Sequence, residues 1–191
     1  MKVLVLGLVV FLGLHLVPTA PALRDGLRAR LGAGPYKGLF SVLSVVSLVL
    51  IVIGYKSAHA LTEGNPQLWE PITGHGVAIA LMLPACILMA AAYVPSRIRS
   101  VARHPMLLAV GLWAGAHLLV RGDLAGALLF GGFLAYVLID LVSATARTAR
   151  GPLGAAQGAA KGDLIALGIG GAAYAVLLFW LHGAMSGMPL V

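Results

Sequence analysis

The feature of this sequence that most limits its fold is the recurrence of apolar runs about 20 residues long. Since a helix rises about 1.5 Å per residue, about 20 apolar residues cross the roughly 30 Å hydrocarbon core of a bilayer. Six such runs occur, at about residues 3–21, 39–58, 74–95, 105–121, 124–144 and 163–186. The pattern predicts an all-α, polytopic membrane protein, a bundle of about six transmembrane helices.

Composition supports this prediction. The chain of 191 residues is 60% hydrophobic and only 10% charged, whereas about a quarter of the residues in soluble domains are charged. No long linker separates two units, so residues 1–191 are predicted to form a single domain. The single cysteine, Cys86, excludes a disulfide framework and a thiolate zinc or iron–sulfur centre.

The basic residues predict the orientation of the helices. In a soluble protein a formal charge of +7 would hint at nucleic acid, but here most of the positive charges lie in the first, third and fifth loops. They are Arg24, Arg28, Arg30, Lys37, Arg97, Arg99, Arg103, Arg147, Arg150 and Lys161. By the positive-inside rule these loops are cytoplasmic and both termini face outward. We therefore expect a multi-pass membrane protein, whose partner is the lipid bilayer and not nucleic acid.

The first apolar run has a second interpretation. Because it ends in small residues, it also resembles a secretory signal peptide, whose cleavage would remove His15. Its single basic residue, Lys2, and its length favour a retained helix instead.

Histidines within the apolar runs are the candidate functional residues, because polar groups at membrane depth are costly and usually face the bundle interior or serve a function. His117 lies twelve residues after Pro105, which is about 18 Å into its helix. Trp113, His117 and Arg121 recur every four residues and so share one helix face. His15 lies about as far into the first helix.

Two imidazoles on separate helices, with no carboxylate between them, suit a soft or borderline metal. In a bundle within lipid the natural candidate is haem, because the porphyrin is apolar and its iron takes axial imidazole. We therefore predict a haem with His15 and His117 as axial ligands, Trp113 on the same helix face, and Arg121 as the cation for a propionate. A dinuclear carboxylate centre is excluded, because the chain has only six acidic residues.

Each polar residue also has a purely structural interpretation. His117 would then donate to a main-chain carbonyl of another helix, and His104, before Pro105, would be a cap at the membrane interface. His75 and His182 lie near outer helix ends, and either could be a ligand, although an interfacial role is the simpler interpretation for each. His104 and His75 remain secondary ligand candidates. Asp140, the one acid in the interior of a predicted span, is expected to pair with a loop arginine such as Arg147.

Small residues are expected where helices pack closely, since lipid gives helices no hydrophobic drive to associate. The candidates are Gly111, Gly115, Gly122, Gly126, Gly131, Gly132, Gly168, Gly170 and Gly171.

Five longer motifs carry a resemblance to a known family. They are GLHLVP (13–18), PYKGLFSVLSVVSLVLIVIGY (35–55), LWEP (68–71), HGVAIALMLPACILMAAAYVP (75–95) and RHPMLLAVGLWAGAHLLVRGDLAGALLFGGFLAY (103–136). Over essentially its whole length the chain resembles the NnrU family of bacterial membrane proteins. The resemblance implies a location in the bacterial inner membrane and a role in denitrification, where members are implicated in producing active nitrite and nitric oxide reductases.

The family is related to the plant zeta-carotene isomerase, a membrane enzyme that uses haem b to isomerise a central double bond. Arg103-His104-Pro105 and the stretch from Trp113 to His117 stand in the places of two isomerase motifs. This implies His117 as an axial haem ligand, with His15 as the best match for a ligand from an early span. Where the isomerase has a cysteine and a glutamine, this chain has Ala114 and Met106. The missing thiolate argues against an isomerase mechanism that switches ligands.

Three functions follow. The first is a haem b protein that supports denitrification, with a small gaseous or hydrophobic ligand only if one axial histidine dissociates. The second is a haem-dependent cis–trans isomerase of a polyene such as 15-cis-zeta-carotene. The third is a cofactor-free membrane assembly protein. Whether the chain is an enzyme stays open.

Overall fold

The computed structural model describes residues 1–60, 64–149, 153–154 and 158–186. Over these ranges the chain is built from helices and has no β-strand, so the all-α prediction is confirmed. The elements are α1 (Lys2–Leu16), a 3-10 turn (Val17–Thr19), α2 (Pro21–Leu31), α3 (Ala33–Ala60), α4 (His75–Ala91), α5 (Arg97–Ala102), α6 (Pro105–Val120), α7 (Leu124–Ala146), α8 (Ala160–Val176), a π-helical turn (Leu177–Leu181) and α9 (His182–Ser186).

Four segments of the described chain are long and apolar enough to cross a membrane. They are Lys2–Thr19, Ala33–Ala60, Leu124–Ala146 and Ala160–Met185. The remaining two predicted spans correspond to α4 and α6, which are apolar but have only 17 and 16 residues. At about 1.5 Å per residue, α6 is about 24 Å long. Its shortness follows from Pro105 at its first turn and from the extended backbone of Arg121 at its end.

The turn between α6 and α7 is stabilised by its own aspartate. Asp123 is the N-cap residue of α7, and its carboxylate accepts a hydrogen bond of 2.9 Å from the Gly126 N–H. The carboxylate thereby satisfies one of the N–H groups that every helix leaves unpaired at its start.

The connection between α3 and α4 covers the same turn. The Ile72 N–H donates to the Leu119 carbonyl oxygen at the end of α6 (2.8 Å), and the Ala125 N–H at the start of α7 donates to Asn65 Oδ1 (2.8 Å). Further bonds join the Leu68 N–H to the Gly122 oxygen and the Leu124 N–H to the Pro66 oxygen. One loop thus satisfies backbone groups at the ends of two helices.

Glycines set the closest helix contacts. A Cβ on Gly54 of α3 would overlap the main chain of Leu4 in α1, and one on Gly7 of α1 would lie 2.8 Å from the Ile51 nitrogen. Between α8 and α4, a Cβ on Gly170 would lie 2.8 Å from the nitrogen of Ile87. These pairs allow the backbones to approach as packed membrane helices require.

At the other end of α7, Asp140 accepts a hydrogen bond of 3.1 Å from the Tyr136 hydroxyl, and Arg147 lies 3.6 Å from its second oxygen. The predicted pairing of Asp140 with Arg147 is confirmed.

Candidate functional site

A cavity of about 580 Å³ lies between α3, α4, α6, α7 and the C-terminal helices. Its volume falls within the roughly 300–1,000 Å³ of small-molecule and cofactor sites. The walls are mostly aliphatic and aromatic, and their cationic and imidazole groups are Arg121, His75, His117 and His182. An apolar cavity with a few converging polar groups is the default candidate for a binding site.

His117 occupies the last turn of α6 and lines this cavity. Its Nδ1 lies 2.8 Å from the Trp113 carbonyl oxygen, four residues earlier in the same helix. Because a carbonyl oxygen only accepts hydrogen bonds, Nδ1 carries the proton and Nε2 is left with its lone pair. The ring also stacks on Phe130 of α7, with centroids 4.5 Å apart. A histidine oriented in this way, through a carbonyl on one ring nitrogen, is prepared to ligate a metal through the other.

The carbonyl partner of His117 belongs to its own helix, whereas the structural interpretation of the sequence expected another helix. The distance of about 18 Å from Pro105 places His117 near the far end of α6, because that helix stops at Val120. The imidazole is therefore close to one end of the bundle.

His182 lies opposite His117 in the cavity. The two ring centroids are 6.4 Å apart and the ring planes are inclined by 27°. His182 directly follows the π-helical turn Leu177–Leu181, and turns of this type are frequent at functional sites. Tyr174, Leu178 and His182 are spaced four residues apart, and all three line the cavity. This spacing is the sequence signal that places His182 on a shared helix face.

The chain is matched by one family model. The model of the NnrU protein covers residues 3–190. The chain belongs to the NnrU family. No curated protein and no solved structure matches it.

In this NnrU protein His15 lies in a separate aromatic cluster. Its Nδ1 is 2.7 Å from the Phe11 carbonyl oxygen, and its ring stacks on Phe11 at 4.1 Å and contacts Phe40 and Tyr136. Its residues are not among those that line the cavity.

A series of ring contacts connects the two predicted ligands through three other aromatic residues. Starting at His15, the successive contacts are with Phe11 (4.1 Å), Phe133 (5.5 Å), Trp113 (5.2 Å) and His117 (5.6 Å). The reason is the register on α7, where His15 contacts Tyr136 but His117 contacts Phe130. The two predicted ligands therefore have no direct ring contact among the described residues, and of the two only His117 lines the cavity.

The other predicted residues lie either at the cavity or at the opposite end of α6. Trp113 and Arg121 line the cavity with His117, as their shared helix face indicated. His75, the first residue of α4, is exposed but also lines the cavity. His104 is the N-cap residue of α6 at the opposite end, but its side chain makes no capping hydrogen bond.

A polar network borders the cavity near the α6–α7 turn. Asp123 is 8% exposed, and one of its carboxylate oxygens lies 3.3 Å from Nε2 of His59 and 3.3 Å from the Asn65 amide nitrogen. Burial acts to raise the pKa of Asp123, but the Gly126 N–H, His59, Asn65 and Arg121 together hold it below its ordinary value. The carboxylate is therefore ionised at neutral pH and is a fixed negative charge beside the cavity.

Proposed function

We propose that this NnrU protein binds haem b in the cavity, with His117 as an axial ligand, and that it acts in the membrane as an accessory haem protein of denitrification. The observation that carries the proposal is the position of His117, which faces an apolar cavity while its Nδ1 is held by a main-chain carbonyl. The denitrification part rests on the family resemblance.

The donor set of the cavity fits a haem better than a bare metal ion. Metal ions held by protein alone usually have three or more protein ligands, and the described residues contain no group of three or more His, Cys, Asp or Glu side chains that could hold one. A porphyrin supplies four ligands itself, so the iron needs only one or two histidines.

The remaining walls also fit this cofactor. Phe130, Phe133 and Ile79 supply apolar surface for a macrocycle, and Arg121 offers a cation for a propionate. When bound, haem supplies one-electron chemistry or coordination of a small gas. The protein's part is to hold the His117 imidazole in one orientation and to exclude water from the cavity.

The isomerase alternative is less well supported by the site. Ala114, at the position where the isomerase has a cysteine, is fully buried in the core between α1, α3 and α7 and is not among the residues that line the cavity. A thiolate at this position would therefore not face the proposed haem.

The test is a spectroscopic comparison of purified protein in mild detergent, with haem supplied during expression. We expect a Soret band and b-type bands on reduction for the wild type. His117→Ala should lower haem affinity by more than about tenfold, because loss of even a supporting residue at a metal site has effects of about this size. His104→Ala, at the other end of the same helix, is the matched control and should retain haem. A wild type without a Soret band, or a His117→Ala variant with unchanged haem content, would refute the proposal.

The physiological role needs a separate measurement. In a denitrifying strain that lacks the gene, wild-type protein should restore nitrite and nitric oxide reductase activity, and His104→Ala should do the same. His117→Ala should fail to do so although it is present in the membrane. Equal restoration by all three proteins would contradict a haem-dependent role in denitrification.

A further inference from the structure

We propose that His182 is the second axial ligand, so that the haem site is shared between α6 and the C-terminal helix α9. This inference rests on the proposed haem function and names the residue that completes the site. It differs from the pairing of His117 with His15 that the sequence suggested.

The distance between the two rings is suited to one metal atom between them. An imidazole nitrogen binds a first-row metal at about 2 Å, so two imidazoles on opposite sides of one atom have centroids roughly 6 Å apart. The centroids of His117 and His182 are 6.4 Å apart. The two residues come from different helices and both line the cavity, so a haem bound between them would connect α6 to the C-terminal segment.

The local backbone explains how His182 reaches this position. α8 is a regular α-helix up to Val176, and the π-helical turn Leu177–Leu181 ends immediately before His182. Such a turn has one more residue per hydrogen-bonded ring than an α-helix and rotates everything that follows it. The turn interrupts the regular α-helical hydrogen bonds. It thereby changes the angular position of His182 around the helix axis.

The segment that follows is attached to the bundle. Nζ of Lys56, in the last turns of α3, donates a hydrogen bond of 3.2 Å to the Ala184 carbonyl oxygen. This bond joins α9 to the end of α3, whose Tyr55 also lines the cavity. His182 is therefore on a segment that is held in place from two sides, by α8 and by α3.

The other histidines are less suitable partners for His117. No described ring contact joins it to His15, which does not line the cavity, and His104 is at the opposite end of α6. His75 borders the cavity at the exposed start of α4. Within the described residues, His182 is the histidine for which a ring contact with His117 is observed.

The experiment compares spin states in haem-loaded protein by absorption and electron paramagnetic resonance. The wild type should be six-coordinate and low-spin. His182→Ala should keep haem on His117 but convert most of it to a high-spin form, and added imidazole should restore the low-spin spectrum by filling the vacated position. His15→Ala is the matched control, because His15 also lies in a last helical turn with Nδ1 on a carbonyl oxygen, and it should stay low-spin.

A second variant gives an independent measurement. His182→Met offers a thioether to the iron and should raise the midpoint potential, because Met/His ligation has a higher potential than bis-histidine ligation. His15→Met should leave the potential unchanged. The same direction of change in the two variants would contradict the assignment.

The outcomes separate this inference from the proposal on which it rests. A low-spin wild type with an unchanged His182→Ala spectrum overturns His182 as ligand but leaves haem binding in place, and conversion to high spin in His15→Ala or His75→Ala would identify the actual ligand. A wild type that takes up no haem overturns the proposed function and, with it, this assignment.

Discussion

At the scale of single residues, Asp123 combines two tasks. Its carboxylate caps α7 through the Gly126 N–H and faces His59 and Asn65 across the turn. Replacing an N-cap aspartate by alanine typically costs about 1 kcal/mol, whereas asparagine is an equally good cap without the charge. Comparison of the aspartate with asparagine therefore isolates the contribution of the charge.

We expect Asp123→Asn to lower the Tm of the purified protein at pH 7 and to flatten its dependence on pH. The pKa of Asp123 is lower in the folded state than its ordinary value of about 3.9. The stabilisation that this represents is complete above the unfolded-state pKa and is lost as the pH falls through the folded-state pKa. The Tm difference between wild type and variant should thus be largest near neutral pH and shrink below about pH 4.

Thermal unfolding followed by circular dichroism between pH 3 and pH 7 provides the measurement. All other carboxylates are present in both proteins, so their effect on the pH dependence cancels in the Tm difference between wild type and variant. A Tm difference that does not change with pH would show that the charge of Asp123 contributes nothing to stability.

Part of the site could be predicted one residue at a time. The spacing of Trp113, His117 and Arg121 correctly placed all three on one face, because four residues are close to one helical turn. The position of His15 could not be obtained in this way. Its distance from His117 depends on which residues of α7 are contacted by α1 and which by α6. A spacing pattern within one helix does not reveal how that helix is aligned with its neighbour.

At the scale of elements, close packing of α1 on α3 depends on Gly54. We expect Gly54→Ala to lower the free energy of unfolding by about 1–3 kcal/mol, the usual cost of overpacking, because the new methyl group would overlap the Leu4 main chain. The measurement is unfolding in detergent with increasing denaturant.

Gly38→Ala in the same helix is the control for Gly54→Ala, since a Cβ there has no atom within 4 Å. It should be neutral or stabilising by up to about 1 kcal/mol, the difference in helix propensity. If Gly54→Ala is as stable as Gly38→Ala, the described contact between α1 and α3 is wrong.

Helix ends were easier to predict than helix contacts. Pro105 starts α6, as local chemistry in the sequence predicts. Among the candidate packing glycines, Gly170 and Gly122 do meet backbone atoms, but Gly115 and Gly168 face open space. Gly54, one of the closest contacts, has no glycine partner four residues away to mark it, so its role depends on the neighbouring helix.

At the scale of the whole molecule, the loop charges predict which end of the bundle faces the cytoplasm. In a background without the native thiol (Cys86→Ala), Ile72→Cys should react with a membrane-impermeant maleimide on intact cells, because the α3–α4 connection is predicted to lie outside. Leu31→Cys, at the end of α2, should react only after the cells are permeabilised. Both positions are exposed, at 69% and 45% respectively, so accessibility within the protein does not explain a difference.

If Leu31→Cys but not Ile72→Cys is labelled on intact cells, the protein has the orientation opposite to the predicted one. The cavity, which borders the end of α6 that contains His117, would then be near the cytoplasm. The sequence predicts the sidedness from charge alone, since the fold itself is compatible with either direction of insertion.

The limited length of α4 and α6 has a consequence for the surrounding lipid. Helices of 16 and 17 residues extend about 24–26 Å, several ångströms less than an average hydrocarbon core of about 30 Å. Such a hydrophobic mismatch is relieved by local thinning of the bilayer or by flanking side chains that extend toward the headgroups. If α4 and α6 cross the bilayer as the sequence predicts, acyl chains beside them would be compressed and the headgroup region drawn toward His75 and His117 near their ends.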